Sequence, residues 1–279
     1  MKLRSVLAAS IALATLIPTA SFAQDQAAAS SDDAMAFDEI IVTASSRPTN
    51  KLESSISVSA LDESAIAEAA PRTTAEIFRQ IPGIRSESTG GDGNANIAVR
   101  GLPVASGGAK FLQLQEDGLP VMQFGDIAFG NADIFLRADQ TISSIQAVRG
   151  GSASTLASNA PGGVINFISK TGKEEGGVVM ATLGLDYEEY RLDFNYGAKL
   201  GDRTRFNIGG FWREGEGPRK AGYNGNSGYQ IKANLTQEFD SGFISLYAKR
   251  LDDRAIGYLP MPTLVTGTNA DPKFQSLPG

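Results

Sequence analysis

Three oxygen-bearing side chains at alternate positions, Asp92, Asn94 and Asn96, share the spacing with which an EF-hand loop begins to bind calcium. The sixth residue of such a loop is glycine, for a sharp turn, and the twelfth is glutamate, for a bidentate contact. Here those two positions are Ile97 and Pro103. The spacing therefore does not indicate a calcium site, and we expect no resident metal.

The composition restricts catalytic chemistry further. The 279 residues include no cysteine and no histidine, which excludes thiolate nucleophiles, imidazole zinc sites and Ser-His-Asp triads within this chain. No phosphate-binding loop or nucleophile elbow is present. The carboxylates Glu188 and Glu189 fall in a predicted hairpin turn, where we expect water to solvate them. We predict that the protein is not an enzyme and has no catalytic residue and no cofactor.

One short segment is suited to binding another protein as an extended strand. It is Asp38-Glu39-Ile40-Ile41-Val42-Thr43-Ala44. Its four consecutive β-branched residues make it stiff and favour an extended backbone. The sequence around it shows no nearby turn and no obvious partner strand. An extended segment on a flexible tether can add itself to the sheet edge of another protein. The alternative is an ordinary first strand of the domain that follows.

The residues before this segment are typical of an exported chain. Lys2 and Arg4 precede an apolar run, Val6 to Ile17, that is too short to span a bilayer, and small residues around Ala23 form a cleavage site. We therefore predict a signal peptide over 1–23, cleaved near Ala23. The Ala, Ser, Asp and Gln that follow cannot bury enough apolar surface to fold. Residues 24–48 are thus predicted to be a flexible tether containing the extended segment.

Residues 49–172 mix helical and strand periods, which predicts a small α+β domain. Thr73-Thr74-Ala75-Glu76 fits a capping box that opens a helix, with Ile77, Phe78 and Ile81 on its inner side and Pro82-Gly83 ending it. Strands are predicted near 56–60, 96–100, 111–115, 141–148 and 164–168. Turns are predicted at Asp117-Gly118 and, further along the chain, at Gly201-Asp202 and 240–242. Two long loops, Leu102 to Lys110 and Met122 to Asp133, are of a length that is usually functional.

Residues 173–279 change to a period of two. Apolar and polar residues alternate over 190–200, 206–212 and 229–236, and a further strand is predicted from Phe243 to Leu251. Each clear strand approaches the roughly 9 to 11 residues that cross a bilayer at a tilt. Tyrosine and tryptophan stand at strand ends, and short turns alternate with longer loops, as in an outer-membrane barrel. A soluble β-sandwich or meander is the alternative.

The overall charge bears on partners. The formal net charge is −6. Binding to nucleic acid depends on clustered Lys and Arg that neutralise phosphates, so we expect no nucleic-acid partner.

Taken together, these segments resemble the N-terminal part of a TonB-dependent outer-membrane receptor. Asp38 to Ala44 is similar to the TonB box, and Thr73 to Gly83 to the plug helix with its Pro-Gly stop. Val99-Arg100-Gly101, Glu116 to Val121 and Val148-Arg149-Gly150-Gly151 resemble plug strand ends, although the family often has proline where this chain has Gly151. Ser158 to Asn166 resembles the last plug segment. The ordered set is specific, although each motif alone is weak.

The resemblance implies a fold class, an α+β plug domain over 49–172 followed by antiparallel transmembrane β-barrel strands over 173–279. The family closes about 22 strands around its plug, and four or five are expected here, so the barrel is predicted to be incomplete. We expect that these 279 residues alone neither insert into a membrane nor transport, because an open sheet leaves unpaired backbone groups in hydrocarbon.

The resemblance also implies roles for residues. Asp38, Glu39, Ile40, Ile41, Val42, Thr43 and Ala44 are expected to bind TonB, the energy-coupling protein of the inner membrane. Arg100 and Arg149 are expected to lie between plug and barrel wall and to pair with barrel carboxylates. Ligand candidates in the second long loop are Gln123, Phe124, Asp126, Phe129 and Asn131.

The implied function is binding of a scarce ligand outside the cell and its import by a TonB-coupled rearrangement of the plug. A ferric siderophore, an oligosaccharide or an aromatic compound would suit the aromatic and amide candidates alike, and outer-membrane lipid would surround the barrel. The implied location is the cell outer membrane. The alternative function is a secreted or surface β-rich binding protein without transport activity.

Overall fold

The structure is a computed structural model. It describes residues 41–42, 49–50, 58–88, 91–102, 111–121, 133–150, 153, 157–158, 160–217, 220–258 and 263–276. The first two of these ranges pair with each other: strand β1 (Ile41–Val42) is antiparallel to β2 (Thr49–Asn50). The expectation that this segment has no nearby partner strand is therefore wrong for these two residues. The rest of the segment 38–44 lies outside the described residues.

Two short helices follow, each begun by a capping side chain. Helix α1 (Glu63–Ala69) starts at Asp62, whose carboxylate accepts a hydrogen bond from Ala65 N at 2.8 Å. Helix α2 (Thr74–Arg79) starts at Thr73, whose hydroxyl accepts from Glu76 N at 3.3 Å. This confirms half of the predicted capping box, because the Glu76 carboxylate accepts from Arg72 N at 2.7 Å and not from Thr73. Helix α2 ends at Arg79, before the predicted stop at Pro82-Gly83, and Gly83 adopts φ 80 in the turn that leads into the next strand.

The strands of the α+β domain form one mixed sheet and one separate hairpin. The sheet has the order β3-β8-β9-β6-β7, in which β6 and β9 are parallel, and β4 pairs only with β5 among the described residues. The bounds are β3 Val58–Asp62, β4 Ile84–Ser88, β5 Ala95–Val99, β6 Leu112–Glu116, β7 Leu119–Pro120, β8 Ile142–Arg149 and β9 Gly163–Ser169. Strand β4 was not predicted.

The domain has an apolar core between α2 and the mixed sheet. Ile77, Phe78 and Ile81 are all buried, as the sequence predicted, and they pack with Leu114, Ile145 and Phe167. The rings of Phe78 and Phe167 meet edge to face, with centroids 6.0 Å apart. This core holds the helix against the sheet and so fixes the loops that leave both.

The second half of the chain is a meander of five antiparallel strands. Its bounds are β10 Gly176–Leu183, β11 Glu189–Lys199, β12 Thr204–Gly215, β13 Asn226–Phe239 and β14 Gly242–Arg254. The sheet order follows the chain, so β10 and β14 are its two edges and the sheet is open. The predicted turns at Gly201-Asp202 and 240–242 are confirmed. A further hairpin, β15 (Thr263–Thr268) and β16 (Asp271–Ser276), forms its own sheet.

The two faces of the meander are reversed relative to those of a soluble sheet. The face turned toward the α+β domain is polar and buried, and Asp193, Gln230 and Thr236 on it are each exposed by 1% or less. The opposite face is apolar and exposed; Trp212 and Leu246 on it are exposed by 47% and 64%. A β-sandwich buries its apolar face, so this arrangement contradicts the soluble alternative. A polar inner face and an apolar outer face are typical of a transmembrane barrel.

Helices give a separate result. Within the described ranges, no helix is long and apolar enough to cross a membrane.

Candidate functional site

The predicted ligand residues Gln123, Phe124, Asp126, Phe129 and Asn131 lie outside the described residues. The segment that follows them is anchored at Asp133, which is fully buried. Its carboxylate accepts hydrogen bonds from Thr74 Oγ1 at 2.6 Å and from Ala95 N at 3.1 Å. Burial raises the pKa of Asp133, and these hydrogen bonds only partly oppose the shift. Asp133 thus ties the end of the candidate ligand loop to α2 and β5.

Replacing Asp133 with alanine should weaken this tie by about 2–4 kcal/mol, because two buried donors lose their acceptor and each costs about 1–3 kcal/mol. Hydrogen exchange at the Ala95 amide in the full-length receptor would measure the loss directly. Asp133→Asn, which keeps one acceptor oxygen and removes the buried charge, should lose less. Equal protection of Ala95 in the wild type and in Asp133→Ala would contradict the assignment.

Arg100 and Arg149 lie on either side of Gly83. A β-carbon at Gly83 would be 3.5 Å from Arg100 Cγ and 3.5 Å from Arg149 Nη1. Arg149 donates to Pro82 O and, at 2.7 Å, to Ser59 Oγ. Burial and then the charge of Arg100 lower the pKa of Arg149. Two like charges held together favour an acidic partner, and the predicted pairing with barrel carboxylates stays a prediction.

The described polar contacts between the α+β domain and the meander include two clusters of charged side chains. In the first, which we call the lysine clamp, Glu116 accepts from Lys232 Nζ at 2.7 Å and from Lys249 Nζ at 2.8 Å. Lys232 also donates to Ser169 Oγ at 2.9 Å, and Lys249 to Phe135 O at 2.7 Å. Burial raises the pKa of Glu116, but the two ammonium groups outweigh it, so the pKa lies below its ordinary value.

Asp117 supports the clamp from the adjacent turn. It adopts φ 53, and its carboxylate accepts from Ser169 N at 2.8 Å and from Ser169 Oγ at 2.7 Å. Burial raises the pKa of Asp117. The sequence predicted a turn at Asp117-Gly118, but the contacts with Ser169 join β6 to the end of β9.

The second cluster, which we call the buried quartet, consists of Asp92 and Arg137 from the α+β domain and Arg213 and Asp253 from the meander. Arg213 pairs with both carboxylates, and Arg137 pairs with Asp253. From the sequence, Asp92 was considered only as a calcium ligand, and no role was predicted for the other three residues. The usable signal for Arg213 was its position in the alternation of β12, whereas Asp253 lies past the predicted strand Phe243 to Leu251 and had no such signal.

A cavity of about 430 Å³ lies beside the lysine clamp. Glu116 and Lys249 form its charged wall, and Leu119, Phe135 and Leu251 contribute apolar surface. Among the described residues, no group of three or more carboxylates could hold a metal ion. The lysine clamp, the buried quartet and neighbouring amide side chains thus join the α+β domain to the meander.

Comparison with known proteins agrees with this geometry. Residues 50–164 match the family described as TonB-dependent Receptor Plug Domain. The vitamin B12 transporter of Vibrio cholerae O1 strain O395 is 30% identical over 205 residues, which are 72% of this chain and 31% of that transporter. The chain thus spans about a third of the length of the curated relatives it matches.

Solved structures show the same fold. The pyoverdine outer membrane receptor of Pseudomonas aeruginosa PAO1 has a TM-score of 0.58 at 16% identity, over 72% of this chain and 28% of that receptor. The siderophore receptor PirA from Acinetobacter baumannii has a TM-score of 0.52 at 20% identity, over 69% of this chain and 31% of that receptor.

These matches cover both the α+β domain and part of the meander, and they explain why a polar sheet face packs against a globular domain. Residues 50–164 therefore belong to the plug domains of TonB-dependent receptors, and the meander is a set of barrel-type antiparallel strands.

Proposed function

We propose that this chain is part of an outer-membrane receptor that binds a scarce small ligand outside the cell and imports it when TonB pulls on residues 38–44. The observation that carries the proposal is the reversed meander, whose polar face packs on the plug while its apolar face is exposed. An apolar outer face suits lipid, and a plug held by polar contacts can rearrange without exposing an apolar core to water. No part of this proposal requires catalysis.

The meander supports an orientation. Short turns at 200–203 and 240–241 lie at one end of the sheet, and the ends of β12 and β14, after which longer connections follow in the chain, lie at the other. Barrels of this class have short periplasmic turns and longer extracellular loops. Strand β10 begins at the short-turn end, so the chain passes from plug to wall on the periplasmic side. The ligand would then arrive at the end that holds the longer connections.

The ligand class follows from the relatives only as a proposal. One curated relative transports vitamin B12, and two solved neighbours are siderophore or pyoverdine receptors. We propose a ligand of this kind, a ferric siderophore or a corrinoid, with an oligosaccharide or another aromatic compound as the other classes to test.

Growth of a deletion strain, of its parent and of the deletion strain complemented with the gene would test the proposal. Each would receive ferric siderophores, cyanocobalamin or oligosaccharides as the limiting source of iron, cobalamin or carbon. We expect the deletion to lose growth on one class, and a proton uncoupler to abolish uptake of that compound in the parent. Equal growth on every class would contradict the proposal.

Localisation is part of the same proposal. We expect cleavage of the signal peptide near Ala23 and recovery of the mature receptor in the outer-membrane fraction. A secreted β-rich binding protein, the alternative, would remain soluble after cleavage. The fraction that contains the mature protein separates the two cases, and N-terminal sequencing of that protein tests cleavage near Ala23.

Arg100 and Arg149 carry a further prediction. In this structure Arg100 is exposed and Arg149 is partly buried. A complete barrel wall is expected to cover both, and a bidentate carboxylate fits the geometry of a guanidinium. In the structure of the full-length receptor we expect each guanidinium to lie within salt-bridge distance, about 4 Å, of a barrel carboxylate. If both side chains were in bulk solvent there, the assignment would be wrong.

A further inference from the structure

The buried quartet is the most deeply buried set of charges that joins the plug to the meander, which forms part of the barrel wall, in the described structure. The exposed fractions of its side chains are 8% for Asp92, 8% for Arg137, 4% for Arg213 and 0% for Asp253. Two positive and two negative charges balance one another. Burial of four charges is tolerated only when each is paired with good geometry, so the contacts are decisive.

Asp253 is the centre of the quartet. Its Oδ1 accepts from Arg213 Nε at 2.8 Å, and its Oδ2 accepts from Arg213 Nη2 at 2.7 Å, which is a bidentate pair. The same Oδ2 accepts from Arg137 Nε at 2.6 Å. Arg213 Nη1 donates to Asp92. Arg137 Nη1 also donates to Ile134 O at 3.0 Å and to Leu136 O at 2.7 Å, which fixes the guanidinium to its own segment.

Two glycines provide the space for these contacts. In the sheet register, Gly228 of β13 lies between Arg213 of β12 and Asp253 of β14. Without a side chain there, two residues from strands that are not neighbours can meet across it, whereas a β-carbon would clash with the Asp253 backbone. Gly93, at φ 71, likewise leaves room, because a β-carbon would come within 2.9 Å of Arg137 Nη1.

The quartet holds two particular plug segments. Asp92 lies in the connection between β4 and β5, and Arg137 lies four residues after Asp133, on the segment that leaves the candidate ligand loop. Arg213 and Asp253 lie near the ends of their strands that lead into the longer connections. The contacts therefore join the plug to the wall at the end where the ligand is proposed to arrive.

We propose that the buried quartet is an anchor that positions these two plug segments on β12 and β14, with Asp253 as its main positioning residue. Its relevance to ligand binding rests on the proposed function, but its existence as an anchor does not. The matched control is on the same strand: Asp252 pairs with Arg250 at 3.8 Å, and these side chains are 55% and 72% exposed. An exposed pair of this kind contributes little.

The test is hydrogen exchange of the full-length receptor without any ligand. Asp253→Asn should accelerate exchange in residues 91–99 and 133–140 by about tenfold or more, because two buried guanidinium groups lose their shared carboxylate. Asp252→Asn should leave exchange in both segments unchanged. Equal effects of the two variants, or no effect of either, would overturn the proposal. Neither result depends on which compound is imported, so failure here is distinguishable from failure in the growth assay.

A double-mutant cycle separates an anchor from a general loss of packing. If Arg137 acts through Asp253, then Arg137→Gln added to Asp253→Asn should accelerate exchange less than the product of the two single effects. Fully multiplicative effects would contradict the pairing. If Asp253→Asn does not assemble in the membrane, Arg137→Gln is compared with Arg250→Gln, and the same two segments must respond only to the first.

Discussion

Replacing Val42 with proline is expected to abolish uptake of the imported ligand while leaving its binding to whole cells unchanged. Val42 lies in a β-branched segment that is proposed to add itself to a sheet edge of TonB, and proline removes the backbone donor that such a strand needs. The ligand is proposed to arrive at the other end of the receptor, so binding should persist. Uptake should fall by at least about 100-fold, since proline costs about 3 kcal/mol or more in regular structure.

Two controls make this result specific. Val42→Thr keeps a β-branched side chain and the N–H group, so uptake should be retained. Thr49→Pro tests the internal ladder, because Thr49 is the residue aligned with Val42 in the pairing of β1 and β2. If loss of that ladder were the cause, Thr49→Pro would abolish uptake as well. Unimpaired uptake in Val42→Pro would refute the proposed role of the segment.

Replacing Glu116 with glutamine should weaken docking of the plug on the meander by about 3 kcal/mol, because the buried ammonium group of Lys232 and the partly exposed one of Lys249 lose their common counter-charge. Hydrogen exchange in β6, or the urea concentration at which β6 becomes accessible, would measure it in the full-length receptor. Glu63→Gln is the matched control, since Glu63 pairs with Lys170 at 2.7 Å but is 54% exposed. The control should lose no more than about 1 kcal/mol. Equal losses in the two variants would show that the clamp does not hold the plug.

The lysine clamp also predicts a pH dependence. The pKa of Glu116 is lowered in the folded state, so its stabilising contribution is fully present above the unfolded value of about 4.3 and is lost as the pH falls through the lower folded value. The difference in docking free energy between the wild type and Glu116→Gln should therefore shrink as the medium is acidified below about pH 4. Burial raises the pKa values of Asp117 and Asp133, so their contributions have the opposite sign and are lost as the pH rises. A difference that stays constant on acidification would contradict the assignment to Glu116.

Local signals in the sequence were sufficient for much of the fold. The α2 helix was predicted from Thr73 and Pro82-Gly83, and its buried residues from their spacing, because caps and helical periodicity involve residues within one or two turns. The alternation over 190–200, 206–212 and 229–236 also predicted which face of β11, β12 and β13 is apolar, since successive side chains of a strand point to opposite sides. The sequence by itself therefore determined that this chain has a plug-like domain and membrane-type strands.

Only the tertiary structure decided how the two parts are joined. Asp92 and Arg213 are 121 positions apart, and Lys249 and Glu116 are 133 positions apart. Nothing local distinguishes these charged residues from solvated ones, because a partner is chosen by the packing of distant segments and burial is a property of the whole fold. The same reason explains why β4 was missed and why Ile41 and Val42 were expected to have no partner nearby. Period-two alternation could place Arg213 on the polar face of the sheet, but only the packing of the meander on the plug buried that face and brought Asp253 to Arg213.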